Sequence, residues 1–141
     1  MRVFINPGHH IGIDPGACAG GYTEAGIARD IGWLLVGYLK AVAIPTRILQ
    51  SDNLCGDSPG LPCVVDDANE WPADIFVSLH LNAAENPEAT GTETLIYAKG
   101  GASEVLAGFI QGQLIDAIDL VAPRRGAWIE SPRLFRRDIG A

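Results

Sequence analysis

The chain has 141 residues, 48% hydrophobic and 19% charged, which fits one compact globular domain able to bury a core. Its formal net charge is -7, and five of its ten basic residues (Arg124, Arg125, Arg133, Arg136 and Arg137) lie near the end, so the first 123 residues are strongly acidic. That balance excludes phosphate-backbone binding, and hence a nucleic-acid partner, because such binding needs a basic footprint.

No apolar run reaches the length of a membrane span, and the first residues enter a strand directly, without the pattern of a signal peptide. Val3, Phe4 and Ile5 are strand formers and Asn6-Pro7-Gly8 is a turn signal. His9 is therefore expected just beyond the carboxyl end of the first strand, the edge where open α/β sheets bind ligands. Thr23 caps a helix over residues 24–42, in which Ile27, Ile31, Leu34, Leu35, Tyr38 and Leu39 recur at helical spacing. Gly26, Gly32 and Gly37 each lower its propensity by about 1 kcal/mol relative to alanine, so it depends on packing against a sheet.

Residues 46–49 read as a second strand, and residues 51–63 are rich in turn formers. Cys55 and Cys63 bracket a Pro- and Gly-containing loop that can close as a disulfide in an oxidising compartment, leaving Cys18 over; without an export signal, three reduced thiols are expected. Residues 64–71 form a short helix with Asp66, Asp67 and Glu70 facing water. Residues 74–82 follow as a strand, with Ile75, Val77, Leu79 and Leu81 on one face and Phe76, Ser78, His80 and Asn82 on the other. Its largely apolar faces suit a buried parallel strand with a functional carboxyl end.

Residues 91–98 form a more polar strand. Gly100-Gly101 lead into a helix over residues 102–121, with Val105, Leu106, Phe109, Leu114, Ile118 and Val121 as its apolar stripe, and Pro123 stops it. The remainder has no clear period, although Arg133-Leu134-Phe135 reads as the start of a strand. This β-α-β alternation predicts an α/β fold: one three-layer domain over residues 1–141, with a mostly parallel or mixed central sheet flanked by helices.

Three possible metal ligands thus share one edge: His9 after the first strand, Glu24 at a helix start, and His80 late in an apolar strand. A His, Glu, His set with one open position is a catalytic zinc arrangement, and the helix start favours an ionised Glu24. Singly, each has a plainer reading: an exposed turn histidine, a helix-dipole partner, a hydrogen-bonded core histidine.

Asn6-Pro7-Gly8-His9, Asp14-Pro15-Gly16-Ala17, Thr23-Glu24, Val77-Ser78-Leu79-His80-Leu81-Asn82-Ala83-Ala84 and Gly91-Thr92-Glu93-Thr94, in that order, resemble the zinc-dependent N-acetylmuramoyl-L-alanine amidases of the Amidase_3 type. The resemblance implies hydrolysis of the amide between N-acetylmuramic acid and L-alanine in peptidoglycan, with Zn2+ as cofactor and His9, Glu24 and His80 as its ligands. The family's Gly-His-Gly-Gly pattern is replaced by Gly8-His9-His10-Ile11-Gly12, so His10 competes with His9 as first ligand; Pro-Gly directly before His9 favours the latter. His10 is then left to line the loop or contact substrate. Asn82, on the face of His80, is a second substrate contact, and Asp14 either serves its own loop turn or the site.

In the family, the acid/base glutamate follows the segment that Leu134-Phe135-Arg136-Arg137 matches, whereas this chain stops at Ala141 and Glu130 lies too early. The catalytic acid/base is therefore unassigned, and the domain is expected to be truncated at its carboxyl end. Three readings stand: a zinc amidase, a catalytically weak or silent zinc-containing peptidoglycan-binding module, and a plain α/β interaction domain. Either zinc reading implies a monomer acting on the cell wall, reached by holin- or lysis-type release from the cytoplasm or as an excised domain of a secreted protein.

Overall fold

The computed structural model describes residues 1–86, 91–119 and 127–130. They fall into two compact units, one over Met1–Ala83 and one beginning at Ala84. The first unit runs β1 (Val3–Pro7), β2 (Cys18–Ala19), β3 (Tyr22–Thr23), α1 (Glu24–Ala41), β4 (Thr46–Ile48), α2 (Val64–Glu70) and β5 (Ile75–Leu79). The second contains β6 (Thr92–Leu95), α3 (Ala102–Asp119) and β7 (Ala127–Glu130).

In the first unit β1 is the middle strand of a parallel sheet ordered β4-β1-β5. All five of its residues are buried, because both faces of the sheet are covered. Val3 and Ile5 pack with Val36, Leu35 and Leu39 of α1, together with Ile48 and Val77. Phe4 lies in the opposite cluster with Val64 and Ala68 of α2, stacked on Phe76 at 5.7 Å between ring centroids. This is the expected α/β arrangement, helix on sheet on helix.

The end of β1 departs from expectation, since Asn6 and Pro7 belong to the strand and the chain turns only at Gly8. Toward β4 the ladder runs from Val3 N to Pro45 O at 3.0 Å and from Leu49 N to Ile5 O at 3.1 Å. The next rung would come from an N–H at position 7, which proline lacks. Asn6 Nδ2 donates to Leu49 O at 3.1 Å in its place, and Ser78 Oγ donates to Asn6 Oδ1 at 2.9 Å. The side chain of Asn6 thus satisfies a carbonyl that the proline leaves open, while Gly8 N keeps its rung to Leu79 O at 2.8 Å.

The buried face of α1 also differs from the expected stripe. Ala25, Ala28, Gly32 and Val36 are buried, with Leu35 and Leu39 partly so, whereas Ile31, Leu34 and Tyr38 are exposed. Small residues define the face because the helix lies close on the sheet: a Cβ on Gly32 would meet Pro7 Cγ at 2.9 Å and Ile48 Cδ1 at 3.0 Å. On α2, Asp66 and Glu70 face water as expected, but Asp67 pairs with Arg47 across 2.7 Å. β5 stops at Leu79, so His80 and Asn82 sit just past its end. No disulfide joins the three cysteines, and Cys63 Sγ lies 3.4 Å from Leu54 O.

In the second unit β6 and β7 pair in parallel; β7 has no counterpart in the sequence reading. Of the stripe expected on α3, Val105, Leu106, Phe109 and Leu114 are exposed, while Ala107 and Gln111 are buried. Gln111 is the reason: its amide donates to Thr92 O at 2.8 Å and accepts from Thr94 Oγ1 at 2.7 Å, which turns that helical face toward β6. The expected strand at Arg133 and the helix stop at Pro123 lie outside the described residues. Among the described residues no helix is long and apolar enough to cross a membrane.

Two glycines of α1 should respond oppositely to alanine. A Cβ on Gly37 meets nothing within 4 Å, so Gly37→Ala is expected to stabilise by about 0.5–1 kcal/mol. Gly32→Ala should destabilise by about 1–3 kcal/mol through overpacking, despite the same gain in helix propensity. Urea unfolding of both variants checks the pair, and equal effects would contradict the close helix-sheet contact.

Candidate metal centre

Three segments converge beyond the carboxyl ends of β1 and β5. Gly8 leaves β1 and His9 follows with φ of 61°, a left-handed conformation that few side-chain-bearing residues adopt and that histidine tolerates better than most. Thr23 Oγ1 caps α1 by accepting from Gly26 N at 3.1 Å, so Glu24 becomes the first helical residue. His80 is the first residue after β5.

Glu24 is 5% exposed and sits between the two imidazoles. Its Oε2 lies 3.2 Å from His9 Nε2, and its Oε1 lies 3.1 Å from His80 Nδ1. Leu81 N donates to Oε1 at 2.7 Å and Ala17 N to Oε2 at 3.1 Å. Burial alone would raise the Glu24 pKa, but these two N–H donors and the neighbouring histidines outweigh it and hold the carboxyl below its ordinary range.

His9 is oriented from its other side. Asp14 Oδ2 lies 2.6 Å from His9 Nδ1, and Asp14 Oδ1 accepts from Gly16 N at 3.0 Å. A carboxylate on one imidazole nitrogen fixes the ring and leaves Nε2 aimed at the centre, as in many metal-binding histidines. Burial would lower the His9 pKa, but the bond to Asp14 and the charge of Glu24 raise it overall.

Two glycines make room for the rings. A Cβ on Gly8 would fall 2.3 Å from His80 Cε1, and one on Gly16 would fall 2.6 Å from His9 Cδ2. Gly8 and Gly16 therefore give each imidazole a flat backbone to lie on. One donor atom from each of His9, Glu24 and His80 lies within 4.8 Å of the others, a set that can hold a metal ion. His10 stays outside that set; its backbone closes a hairpin with Asp14, and its Nδ1 is buried with no hydrogen-bond partner among the described residues. Asn82 is exposed, one residue beyond the Leu81 amide that holds Glu24. Asp14 does both things the sequence left open, closing its own loop turn through Gly16 N and holding His9, whereas Gly16 as a support of His9 was not singled out from the sequence.

The N-acetylmuramoyl-L-alanine amidase family model (Amidase_3) matches residues 3–131. The sporulation-specific N-acetylmuramoyl-L-alanine amidase of Bacillus subtilis is 32% identical over 120 residues, covering 84% of this chain and 45% of that protein. The endolysin of Bacillus phage SPP1 is 36% identical over 119 residues, covering 82% of this chain and 41% of that protein. Among solved structures, the amidase AmiC2 of Nostoc punctiforme is similar with a TM-score of 0.73 and 25% identity, over 95% of this chain and 70% of that one. The chain spans about half the length of the curated relatives it matches.

The two shifted groups predict a stability window when a chelator removes any metal. Glu24, with a folded pKa below 4.5, contributes stability that is full above 4.5 and is lost as pH falls through the folded value. His9, raised above 6.5, contributes stability that is full below 6.5 and is lost as pH rises through the folded value. The difference in unfolding free energy between wild type and Glu24→Gln should therefore be largest between those two pH values and shrink on both sides. A difference independent of pH would contradict the charge arrangement.

Proposed function

The chain belongs to the N-acetylmuramoyl-L-alanine amidase family, and we propose that residues 1–141 act as a zinc-dependent catalytic unit that hydrolyses the amide between N-acetylmuramic acid and L-alanine in peptidoglycan. The observation that carries this reading is the spacing of His9, Glu24 and His80. Zinc bonds of about 2.0–2.1 Å at tetrahedral angles separate neighbouring ligand atoms by roughly 3.3 Å. His9 Nε2 stands 3.2 Å from Glu24 Oε2 and His80 Nδ1 3.1 Å from Glu24 Oε1, and one donor atom from each of the three residues lies within 4.8 Å of the others, close enough for modest side-chain shifts to bring all three onto one ion. Two neutral imidazoles and one carboxylate are also the donor chemistry that zinc takes in hydrolytic sites, with a fourth position left open.

His9 through Nε2, His80 through Nδ1 and Glu24 through its carboxylate would hold the ion. Bound there, zinc supplies Lewis acidity toward a water molecule and the scissile carbonyl. The protein's own part is positional and electrostatic. The Leu81 and Ala17 amides keep Glu24 charged and fixed, and Asp14 occupies the Nδ1 side of His9 so that its Nε2 lone pair faces the centre. His10 and Asn82 are proposed as substrate contacts at the rim. The polypeptide is proposed to work as a monomer on the cell wall, whether released from the cytoplasm at lysis or carried within a secreted protein.

Hydrolysis also requires a proton for the departing L-alanine amine. Asp14 is the second carboxylate bonded into the site, and both its oxygens are engaged, one by His9 and one by Gly16 N. That engagement favours a second reading, a zinc-containing peptidoglycan-binding module with slow turnover.

Purified protein is expected to hold one zinc per chain, and His80→Ala should lose it. Retention of full zinc by His80→Ala, or loss in His10→Ala but not in His9→Ala, would show the ligand set to be wrong. Incubation with purified peptidoglycan should release stem peptides with a free L-alanine amino terminus, abolished by chelation and restored by zinc. Zinc and muropeptide binding with release lower by about 10²–10⁴-fold than in an amidase with its general acid would favour the second reading.

A further inference from the structure

We propose that Gln50 is a positioning residue for the metal centre, holding the His9 loop and the start of α1 at a fixed separation. This rests on the reading of His9, Glu24 and His80 as zinc ligands. Gln50 follows β4, an edge strand with no ligand of its own, yet its amide reaches across the sheet edge. Its Nε2 donates to Gly8 O at 3.2 Å and to Ala25 O at 2.9 Å. Those carbonyls belong to the residue just before His9 and the residue just after Glu24. Both residues are buried, which shields their carbonyls from water as a replacement for the amide.

The two bonds add a backbone tie between segments that otherwise meet through the Glu24 and His9 side chains. Gly8 N is tied to Leu79 O at 2.8 Å, which sets the His9 loop against the strand that ends at His80. Glu24 N and Ala25 N are tied to Ala17 O at 2.8 Å and Pro15 O at 3.1 Å, which sets α1 against the loop carrying Asp14. Gln50 supplies the direct bridge between the backbone before His9 and the first turn of α1. A single NH2 group with two donors fits this task, because it satisfies both carbonyls at once and introduces no charge beside Glu24.

The test measures zinc affinity by chelator competition in wild type, Gln50→Met and Ser51→Ala, at a temperature where chelator-treated samples of all three are fully folded. Methionine keeps the length of Gln50 and removes its donors. Ser51→Ala removes a neighbouring anchor, the 2.6 Å bond from Ser51 Oγ to Pro62 O, which involves neither Gly8 nor Ala25. Loss of zinc affinity by about tenfold or more in Gln50→Met, with Ser51→Ala like wild type, is the expected result. Unchanged affinity in Gln50→Met, or equal loss in both variants, overturns the proposal and leaves the ligand assignment standing. Absence of zinc binding in wild type overturns the ligand assignment and this proposal with it.

Discussion

The first unit depends on holding a buried carboxylate between two imidazoles. Glu24 could not stay charged at 5% exposure without donors, and it obtains them from the backbones of Ala17 and Leu81, on two different segments. The carboxylate is therefore both a proposed ligand and the junction where the β1 loop, the α1 terminus and the end of β5 meet. Elements that are distant in sequence are brought into register by one side chain, and packing then has to respect it.

Much of the local sequence serves that register. Pro7 ends the middle strand where β4 has already ended, and Asn6 supplies the hydrogen bond that the proline cannot. Gly8 and Gly16 are flat where the imidazoles lie, and Gly32 brings α1 close enough to the sheet for its first turn to stand beside β1. Each replaces bulk with proximity. The same economy explains why small residues rather than the large apolar ones form the buried face of α1.

What the sequence made legible was local or periodic. The cap at Thr23, the alternation along β5 and the apolar run of β1 each follow from spacing alone, and the order of the motifs brought His9, Glu24 and His80 to one edge. What it hid was set by contacts between distant residues. Nothing near Gly16 signals that an imidazole seven residues earlier lies on it, and nothing near Gln50 signals that its amide reaches Gly8 and Ala25. The face of α3 was misread for a related reason: the periodicity of Val105, Leu106 and Phe109 is real, but the Gln111 bonds to Thr92 and Thr94 decide which side meets the strand.

The central claim is that two imidazoles and one carboxylate, and no thiolate, surround the metal. Cys18 is exposed, with its sulfur 3.5 Å from Gly16 O, and stands outside the set of donor atoms formed by His9, Glu24 and His80. X-ray absorption at the zinc edge of the zinc-loaded protein tests the claim most directly. A shell of nitrogen and oxygen alone at about 2.0–2.1 Å, with outer scattering from two imidazole rings, is the predicted result. A sulfur neighbour at about 2.3 Å, or an all-oxygen shell without imidazole scattering, would contradict it.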